Sequence, residues 1–440
     1  MITRNLNITF GIILVVSLFY FVMLTSTTLT WLNVDSDAPQ YIIAAEELRI
    51  SHPSPGSPLY NLINAGWIRI YPTGTTFFKI ALLSAFSASL VSVTLYLMTK
   101  RVLPSLLWMA SGVVVSQSTI VESYALICLV SVIGYWLYRE DRRSLAYILL
   151  SFGMMIHHLA GIPIVIFMIR DLWLGRDKLP LLWAFVALPM LAYIPLANRE
   201  PYIWIGGTSI DDYYRYLFSQ GGLTGGLAIF PPQDLVRRLG DFALVVGGSL
   251  GIAVPLIWLS IKQNKDWLLV SLIAAPLGYY LTNLAPQVYT YSILAVPFTA
   301  LLISKTEWLI VRPAVTGVLA ILVVLNTFWY YNAPYNSAVK FYQELDTLPT
   351  ESMIWSQNRG WEKMTIELYN TREGTSIDTV DIRKPERSAE VLSIDLLKAS
   401  EGGKLYRTEI VNPKTYEVKL TTTTPEEVLR DMKKYVGPTQ

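Results

Sequence analysis

The hydrophobic residues of this chain occur in long runs that polar turns separate. The first run, Ile8–Thr28, has about 20 residues, the length that an α-helix needs to cross the hydrocarbon core of a bilayer. No small-residue cleavage pattern follows it cleanly, so it is interpreted as a retained transmembrane helix rather than a signal peptide. Further apolar segments follow at Thr76–Thr99, Leu103–Ser118, Thr119–Leu137, Leu145–Ile156, Leu159–Ile169, Leu179–Leu196, Phe242–Ile261, Trp267–Thr282, Val288–Ile303 and Trp308–Phe328.

Basic residues lie in the short connections between these segments, and they predict the topology. Cytoplasmic connections carry an excess of Lys and Arg, so placing all the basic clusters inside requires an even number of crossings between consecutive clusters. The result is about eleven transmembrane helices with the N-terminus inside. The residues used are Arg4, Lys100, Arg101, Arg139, Arg142, Arg143, Arg170, Arg176, Lys178, Lys262, Lys265 and Lys305.

The same rule makes hairpins of two regions whose apolar segments are short. Leu103–Leu137 then turns near Ser116–Val121, and Leu145–Ile169 turns at His157 and His158, both on the external side. Because short half-helices are tolerated only where protein or a water-filled cavity lines them, a polar hollow is expected in the outer leaflet.

The rest of the chain divides into external loops and a polar C-terminal region. The predicted transmembrane domain is 1–331, with long external loops at 31–75 and 198–241. From Asn332 the segments "SMIWSQ", "GWEKMTIELYN", "IDTVDI", "SAEVLSIDLLKAS" and "LYRTEI" alternate strand and helix patterns. They predict a soluble α/β domain at 332–440, which the crossing count places outside the cell.

Composition supports a membrane protein and excludes several other classes. Hydrophobic residues are 52% of the chain and charged residues 15%, against about 25% charged in soluble domains. The net charge of +2 and the absence of a basic tract give no sign of a nucleic-acid partner. The single cysteine, Cys128, excludes an intramolecular disulfide framework and is expected to pack in an apolar segment.

Several ionisable residues fall on the external side in this topology. Glu122 and the His157-His158 pair are embedded in apolar sequence, where such groups are costly and usually functional. The alternative for these residues is structural, since paired polar groups also satisfy backbone atoms at helix breaks. Glu46 and Glu47 are better explained as members of a solvated loop.

Four motifs in sequence order resemble one enzyme family. The stretch "DAPQYIIAAEELRISHPSPGSPLY" (Asp37–Tyr60) is similar to the first external loop of the transmembrane protein O-mannosyltransferases that modify plexin-type domains. "KIALLSAFSASLVSVTLYL" (Lys79–Leu97), "SQSTIVESYAL" (Ser116–Leu126) and "LSFGMMIHHLAGI" (Leu150–Ile162) resemble further segments of that family. "PYIWIGG" (Pro201–Gly207) is similar to a fifth, weaker motif.

The chain also departs from the family pattern. Gln40 stands where the family has Glu, Ser54 is inserted in the His-Pro-Pro-Gly turn, and Ile156 replaces the Asn before the histidine pair. Loss of the Glu removes a second acid unless Asp35 supplies one.

The resemblance implies a membrane α-helical protein of the GT-C type, a polytopic glycosyltransferase fold. It implies a polyprenyl-phosphate sugar as donor, mannose as the suggested sugar, and an acceptor hydroxyl on the extracytoplasmic side. Asp37, which keeps register with the family through Ala44, Ala45 and His52, is the expected general base of a single inverting displacement. Because phosphate is a good leaving group, no second acid is needed to protonate it.

The remaining candidates are expected to bind substrate. Cationic side chains would compensate the donor phosphate, and Glu122, Tyr124 and the histidine pair would orient sugar hydroxyls or phosphate. The expected substrate-binding residues are Asp35, Gln40, Arg49, His52, Arg69, Lys79, Glu122, Tyr124, His157, His158 and Arg215, and further external cations are Arg199, Arg237 and Arg238.

A metal ion is a possibility that the sequence does not favour. Asp35-Ser-Asp37 forms a D-x-D pattern, which with His52 offers oxygen and nitrogen ligands to a divalent ion. Lipid-phosphate donors carry less charge than nucleotide diphosphates, so neither a metal nor another cofactor is expected.

Other functions remain open at the level of sequence. Among enzymatic functions, the alternative is transfer of the sugar to a lipid or cell-wall glycan acceptor. A non-catalytic transporter of lipid-linked sugars would also use broken helices and buried charge, but no repeated half is visible in the sequence. A scaffold protein would not predict an acid in the first loop together with an external histidine pair.

Overall fold

The structure of the protein is a computed structural model. It describes residues 2–26, 37–48, 57–71, 76–178, 180, 253–282, 291–306, 312–331, 337–349, 351–355, 365–366, 369–370, 373–380, 396–412 and 417–436. The predicted segment Leu179–Leu196, apart from residue 180, the predicted loop 198–241 and the beginning of Phe242–Ile261 lie outside the described residues.

Helices make up most of the described chain up to residue 331. They are α1 (Ile2–Ser26), α2 (Asp37–Glu47), α3 (Pro58–Ile70), α4 (Thr76–Thr99), α5 (Leu103–Ala110), α6 (Gly112–Ser118), α7 (Tyr124–Arg139), α8 (Arg143–Met154), α9 (Gly161–Trp173), α10 (Ala253–Asn264), α11 (Trp267–Thr282), α12 (Ala295–Ser304) and α13 (Arg312–Tyr331). One 3-10 turn, His158–Ala160, precedes α9.

The chain separates into two compact units. The first comprises Met1–Thr30 and Ala44–Ala333, and the second comprises Trp31–Ile43 and Pro334–Gln440.

Helix α4 lies at the centre of the first unit. It packs against α1, α3, α5, α6, α7 and α12. Of its apolar stretch Phe78–Thr99, 83% is buried, against 33% of Ile8–Thr25 in α1, so α4 is central and α1 peripheral. Small residues on α4 let its neighbours approach closely, and their hydroxyls donate to carbonyls of their own helix, as Ser87 does to Leu83 and Ser89 to Ala85.

The outer face of α1 is apolar although it is exposed. Ile8, Ile12, Val15 and Phe19 are more than half exposed and follow one another at helical spacing. On the opposite face Ile13 packs against Val93 and Tyr96 of α4. A helix with an apolar face on both sides is suited to lipid rather than to water.

Among the described residues, two helices are long and apolar enough to cross a bilayer, at Ile8–Thr25 and Phe78–Thr99. Shorter apolar helices lie at Tyr124–Arg139, Arg143–Met154, Trp267–Gly278, Tyr291–Ser304 and Pro313–Leu325. The predicted segments therefore recur as helices, several of them shorter than a complete crossing, as the sequence indicated.

Three segments differ from the sequence prediction. Leu103–Ser118 was expected as one crossing but forms α5 and α6, because Ser111 is extended (φ −73°, ψ 124°) and interrupts the helix before Gly112. Thr119–Leu137 begins its helix only at Tyr124. The stretch 31–75, predicted as a loop, contains α2 and α3.

Helix α3 starts at Pro58, whose fixed φ suits the first helical turn, with Ser57 as N-cap. Its last turn is held to α4, since the Trp67 indole donates to the Lys79 carbonyl at 2.7 Å.

The second unit contains a four-stranded sheet. Its strands β1 (Met353–Trp355), β2 (Asp378–Val380), β3 (Leu405–Asn412) and β4 (Glu417–Thr422) lie in the order β2-β1-β3-β4. Strand β1 pairs in parallel with β2 and β3, and β3 pairs antiparallel with β4. The first three strands lie in the segments predicted as strands, whereas β4 was not predicted.

Alternate residues of β1 enter two separate cores. Ile354 packs on one side with residues of helix α14 (Ser337–Leu345), and Met353 and Trp355 pack on the other side with Val428 of helix α15 (Pro425–Val436). The side-chain period of two in a strand therefore places one helix on each face of the sheet.

A buried carboxylate joins three helices of the first unit at one end. Asp171, in the last turn of α9, accepts hydrogen bonds from the Tyr138 hydroxyl of α7 at 2.7 Å and the Tyr147 hydroxyl of α8 at 2.9 Å. Its oxygens also lie 3.4 Å from Arg143 and 3.5 Å from Arg176. Two cations and two hydroxyls thus compensate one charge that is fully buried.

We expect Asp171→Asn to destabilise the protein by about 3 kcal/mol, because Asn keeps the size but leaves the two arginines without their counter-ion. Thermal unfolding of the purified full chain in detergent measures the effect. Asp177→Asn is the matched control, since Asp177 is an exposed carboxylate in the same turn region. Equal melting temperatures for wild type and Asp171→Asn would contradict this account.

The N-terminus of α15 is closed by a reciprocal cap. The Thr424 hydroxyl accepts from the Glu427 N–H at 3.3 Å, and the Glu427 carboxylate accepts from the Thr424 N–H at 3.4 Å and the Thr423 hydroxyl at 2.9 Å. The Thr423 hydroxyl and the Thr424 amide, with minor help from neighbouring arginines, hold the pKa of Glu427 below its usual value.

Thr424→Ala is expected to speed hydrogen exchange in Pro425–Val436 by about fivefold, because loss of an N-cap costs about 1 kcal/mol. In wild type and variant alike, protection of this helix should also fall in acid, since the depressed pKa of Glu427 means that its contribution is present above the usual carboxyl pKa and is lost as the pH falls through the lower folded value. Glu426→Ala, which removes an exposed acid without a cap, should leave exchange unchanged.

Candidate active site

Polar side chains are buried on one face of α3. Tyr60, Asn61 and Asn64 are each at most 1% exposed, and Asn64 shares a side of the helix with both others because it follows Tyr60 by four residues and Asn61 by three. This face is turned towards α4, and the Tyr60 hydroxyl interacts with the side chains of Asn64 and Ser84. Sequence reasoning missed these residues, although the spacing was visible.

Glu122 lies beside this polar face, in the break between α6 and α7. It is 2% exposed, and its carbonyl accepts a hydrogen bond from the Ser84 hydroxyl at 2.9 Å. Burial, reinforced by the Glu122 carboxylate, raises the pKa of the Tyr60 hydroxyl above its usual value, so Tyr60 remains a donor. We call Tyr60, Asn64, Ser84 and Glu122 the Glu122 cluster.

Four aromatic rings contact one another next to the Glu122 cluster, beginning with Tyr124, two residues after Glu122. The Tyr124 ring lies 5.1 Å from His157, and the two histidine rings stack at 4.2 Å between centroids. Tyr291 contacts all three, at 6.0 Å from Tyr124, 5.7 Å from His157 and 5.5 Å from His158. We call these four residues the histidine cluster; Tyr291, just before α12, has no local sequence signal and was not predicted.

The two clusters are continuous in the fold. The Leu59 N–H at the start of α3 donates to the Met155 carbonyl at 3.1 Å, which fixes α3 against the turn that carries the histidines. Glu122 and Tyr124 are separated by one residue. Buried polar side chains of the same connection add to the region: Gln117, Ser118, Thr119 and Ser123.

Both histidines are held in the neutral form. Burial, with the neighbouring His158, lowers the pKa of His157 well below its usual value, and burial lowers the pKa of His158 to about 4. The Nδ1 atom of His157 accepts from the Leu159 N–H at 3.2 Å, so the ring proton belongs on Nε2. Neutral imidazoles beside phenol hydroxyls can exchange hydrogen bonds with sugar hydroxyls without adding charge.

Two predicted cations lie at the opposite end of α3. Arg69 donates to the carbonyls of Ala65 at 2.6 Å and Ala45 at 3.4 Å, and Lys79 donates to the Ile68 carbonyl at 3.2 Å. The structure therefore does not bring them to the histidine cluster. Lys79 satisfies one of the last carbonyls of α3, and Arg69 links α3 to the last turn of α2.

The other predicted site residues lie outside what the structure describes. This holds for Asp35, Arg49, His52 and Arg215 entirely. Asp37 is the first residue of α2 and Gln40 lies in its first turn, but of these two only the backbone is described. Among the described side chains no three His, Cys, Asp or Glu residues gather as metal ligands. The expected absence of a metal stays a prediction, because the D-x-D pattern falls outside that part of the chain.

Part of the chain that forms this site is similar to a known protein family. Residues 37–140, about a quarter of the chain, match the family described as protein O-mannosyl-transferase TMEM260 N-terminal domain. The matched region runs from the first residue of α2 to the end of α7, and so contains Asp37 and the Glu122 cluster. None of the curated proteins compared with the chain matches it.

A solved structure shares the fold over nearly the whole chain. The crystal structure of ArnT from Cupriavidus metallidurans bound to undecaprenyl phosphate aligns with 94% of this chain and 97% of its own, with a TM-score of 0.54 and 11% identity. Over residues 37–140 the chain is thus similar to a protein O-mannosyl-transferase domain, and it shares the fold of ArnT. The predicted resemblance, the class of glycosyltransferase and the helical membrane architecture are thereby confirmed.

All four residues of the Glu122 cluster lie within the matched region. The histidine pair lies just beyond the matched residues, yet it packs against Tyr124, which belongs to them. Tyr124, His157 and His158 were predicted from separate motifs, and the fold brings them together.

The neutral histidines should make stability depend on pH. Below about pH 6.5 the unfolded chain binds protons that folded His157 and His158 do not, so the free energy of unfolding falls as the pH drops towards 4. For His158 alone the loss is about 2 kcal/mol at about pH 5. His158→Gln should therefore lose less thermal stability than wild type between about pH 7.5 and about pH 5. The same loss in both proteins would show that His158 is charged or exposed in the fold.

Proposed function

We propose that this protein transfers a sugar from a polyprenyl-phosphate donor to an acceptor hydroxyl on the extracytoplasmic side of the membrane. The observation that carries the proposal is the coincidence of the family match over residues 37–140 with the buried Glu122 cluster at one end of α7. The undecaprenyl phosphate of the ArnT structure supports the donor class. The family description supports mannose as the sugar and a protein as the acceptor.

The proposed reaction is a single inverting displacement. The acceptor oxygen attacks C1 of the sugar, the bond from C1 to the phosphate oxygen breaks, and polyprenyl phosphate leaves with the electron pair. Asp37 takes the proton of the acceptor hydroxyl. The leaving phosphate needs charge compensation by cationic side chains rather than protonation. Arg69 and Lys79 are not assigned this role, because they donate to backbone carbonyls at the end of α3 that is remote from the histidine cluster.

The Glu122 and histidine clusters would hold the sugar in this reaction. Tyr60 and the neutral histidines offer donors and acceptors without net charge, and the single carboxylate of Glu122 accepts strongly from hydroxyls. Such side chains orient a sugar and leave the charge compensation to cations near the phosphate. A transporter of lipid-linked sugars gains no support from the family match.

The proposed topology places the clusters and the unit with the four-stranded sheet outside the cell. Tyr124 begins α7 and Arg139 ends it, so the polar clusters and the basic turns lie at opposite ends of one helix of 16 residues. With basic turns inside, the clusters face outward. The domain division at 1–331 and 332–440 and the count of about eleven crossings belong to the same proposal.

We expect Asp37→Asn to lower sugar transfer by at least about 100-fold, because Asn cannot accept the proton of the acceptor. The full chain is purified and incubated with labelled polyprenyl-phosphate mannose and a protein acceptor, and protein and lipid products are then separated. Glu47→Gln is the matched control, because it removes an exposed carboxylate of the same helix, and it should transfer at a rate close to wild type.

Three results would contradict parts of this proposal. Near-normal transfer by a folded Asp37→Asn variant removes Asp37 as the base. Label in lipid or glycan products alone assigns a different acceptor. Activity that a chelator abolishes and one divalent ion restores adds a metal to a reaction proposed without a cofactor.

A further inference from the structure

A cavity lies at the end of α7 that is remote from the two polar clusters. Its volume is about 340 Å³, within the range of small-molecule sites. It is lined by Arg101 from the turn after α4, Arg139 at the end of α7 and Lys305 directly after α12, together with Glu140, Tyr135 and Trp136. Three cations from three different elements therefore face one space.

The cations are held in place by the protein itself. Asp266, in the turn between α10 and α11, forms an ion pair with Lys305 and lies 3.6 Å from Arg139, and Arg101 donates to the Ser304 carbonyl. Partial burial opposes ionisation of Asp266, but Lys305, the Leu269 amide and Arg139 outweigh it and keep its pKa below the usual value. The carboxylate is thus a fixed anchor for two of the cations.

The cavity keeps a net positive charge. Three cations are accompanied by two carboxylates, that of Glu140 in the lining and that of Asp266, which pairs with Arg139 and Lys305, and this leaves one positive charge. Arg139 and Lys305 are 44% and 34% exposed, so their outer atoms remain open to a ligand. A small anion with several acceptor oxygens fits this arrangement, since Arg offers parallel donors and Lys a mobile one.

The position of the cavity indicates where the anion comes from. It opens where apolar helices end, beside Trp136 and Tyr135, and such aromatic side chains are enriched at the level of lipid headgroups. Basic pockets between transmembrane helices at the inner surface are suited to the phosphate of acidic lipids.

We propose that this cavity binds the phosphate of an acidic phospholipid headgroup at the membrane surface opposite the transfer site. The bound lipid connects the turns after α4, α7 and α12. The proposal does not depend on transferase activity, and in the topology proposed above the lipid belongs to the cytoplasmic leaflet.

Native mass spectrometry of the full chain tests the proposal with two lipids of identical acyl chains, phosphatidylglycerol and phosphatidylcholine. Wild type should retain one phosphatidylglycerol more tightly than phosphatidylcholine. Arg101→Gln should weaken that binding by about fivefold, the effect of one cation near a membrane surface. Lys100→Gln is the matched control, because Lys100 is an exposed cation of the same turn outside the cavity lining, and it should bind as wild type.

Two further variants distinguish a loss of lipid binding from a folding defect. Arg101→Lys keeps the charge and should retain most of the binding, and Arg139→Gln should weaken it as Arg101→Gln does. Equal retention of both lipids, or equal weakening by Lys100→Gln and Arg101→Gln, would overturn the proposal. Displacement of phosphatidylglycerol by inorganic phosphate at the same concentration would overturn the lipid source and identify a soluble anion.

Discussion

The compensation of one buried charge, Asp171, determines how helices α7, α8 and α9 stand beside each other. Three helices that are apolar along their length have little to fix their rotation, because hydrocarbon side chains pack almost equally well in several registers. A carboxylate that must collect two hydroxyls and two guanidinium groups removes this freedom. Since helices are rigid, the register set at one end also fixes the other end, where Tyr124 and the histidine turn meet.

At that other end, the chemistry arises from breaks in helices rather than from helices. Glu122 lies between α6 and α7, His157 between α8 and the 3-10 turn, and Tyr291 before α12. Backbone groups at such breaks need partners, and polar side chains provide them. The same side chains are available to a substrate. A membrane protein can therefore assemble a polar site from residues that also close its helices, and α3 completes it by inserting one polar face.

Much of this arrangement could be predicted from the sequence, for identifiable reasons. The hairpin at His157 followed from apolar segments of limited length between basic turns, and it brought Tyr124 and the histidines to one surface. The break at Ser111 was missed because the flanking residues are uniformly apolar and fit one long helix equally well. Tyr291 was missed because its role depends on tertiary neighbours alone. In the second unit, β4 was missed although "EVKL" alternates polar and apolar residues, because the run "EVKLTT" has only two large apolar side chains and is paired with β3 along one edge.

The length of α7 has a consequence for the membrane itself. Sixteen residues at 1.5 Å each span about 24 Å, and α8 and α9 are shorter still. The hydrocarbon core of a typical bilayer is about 30 Å thick, so lipid next to these helices is under mismatch. Exposed apolar side chains on α8 and α9, such as Phe152 and Ile169, keep the lipid tails in contact with this short wall. The bilayer is expected to thin on this side of the protein, which favours thinner membranes and brings both headgroup layers closer to the ends of α7.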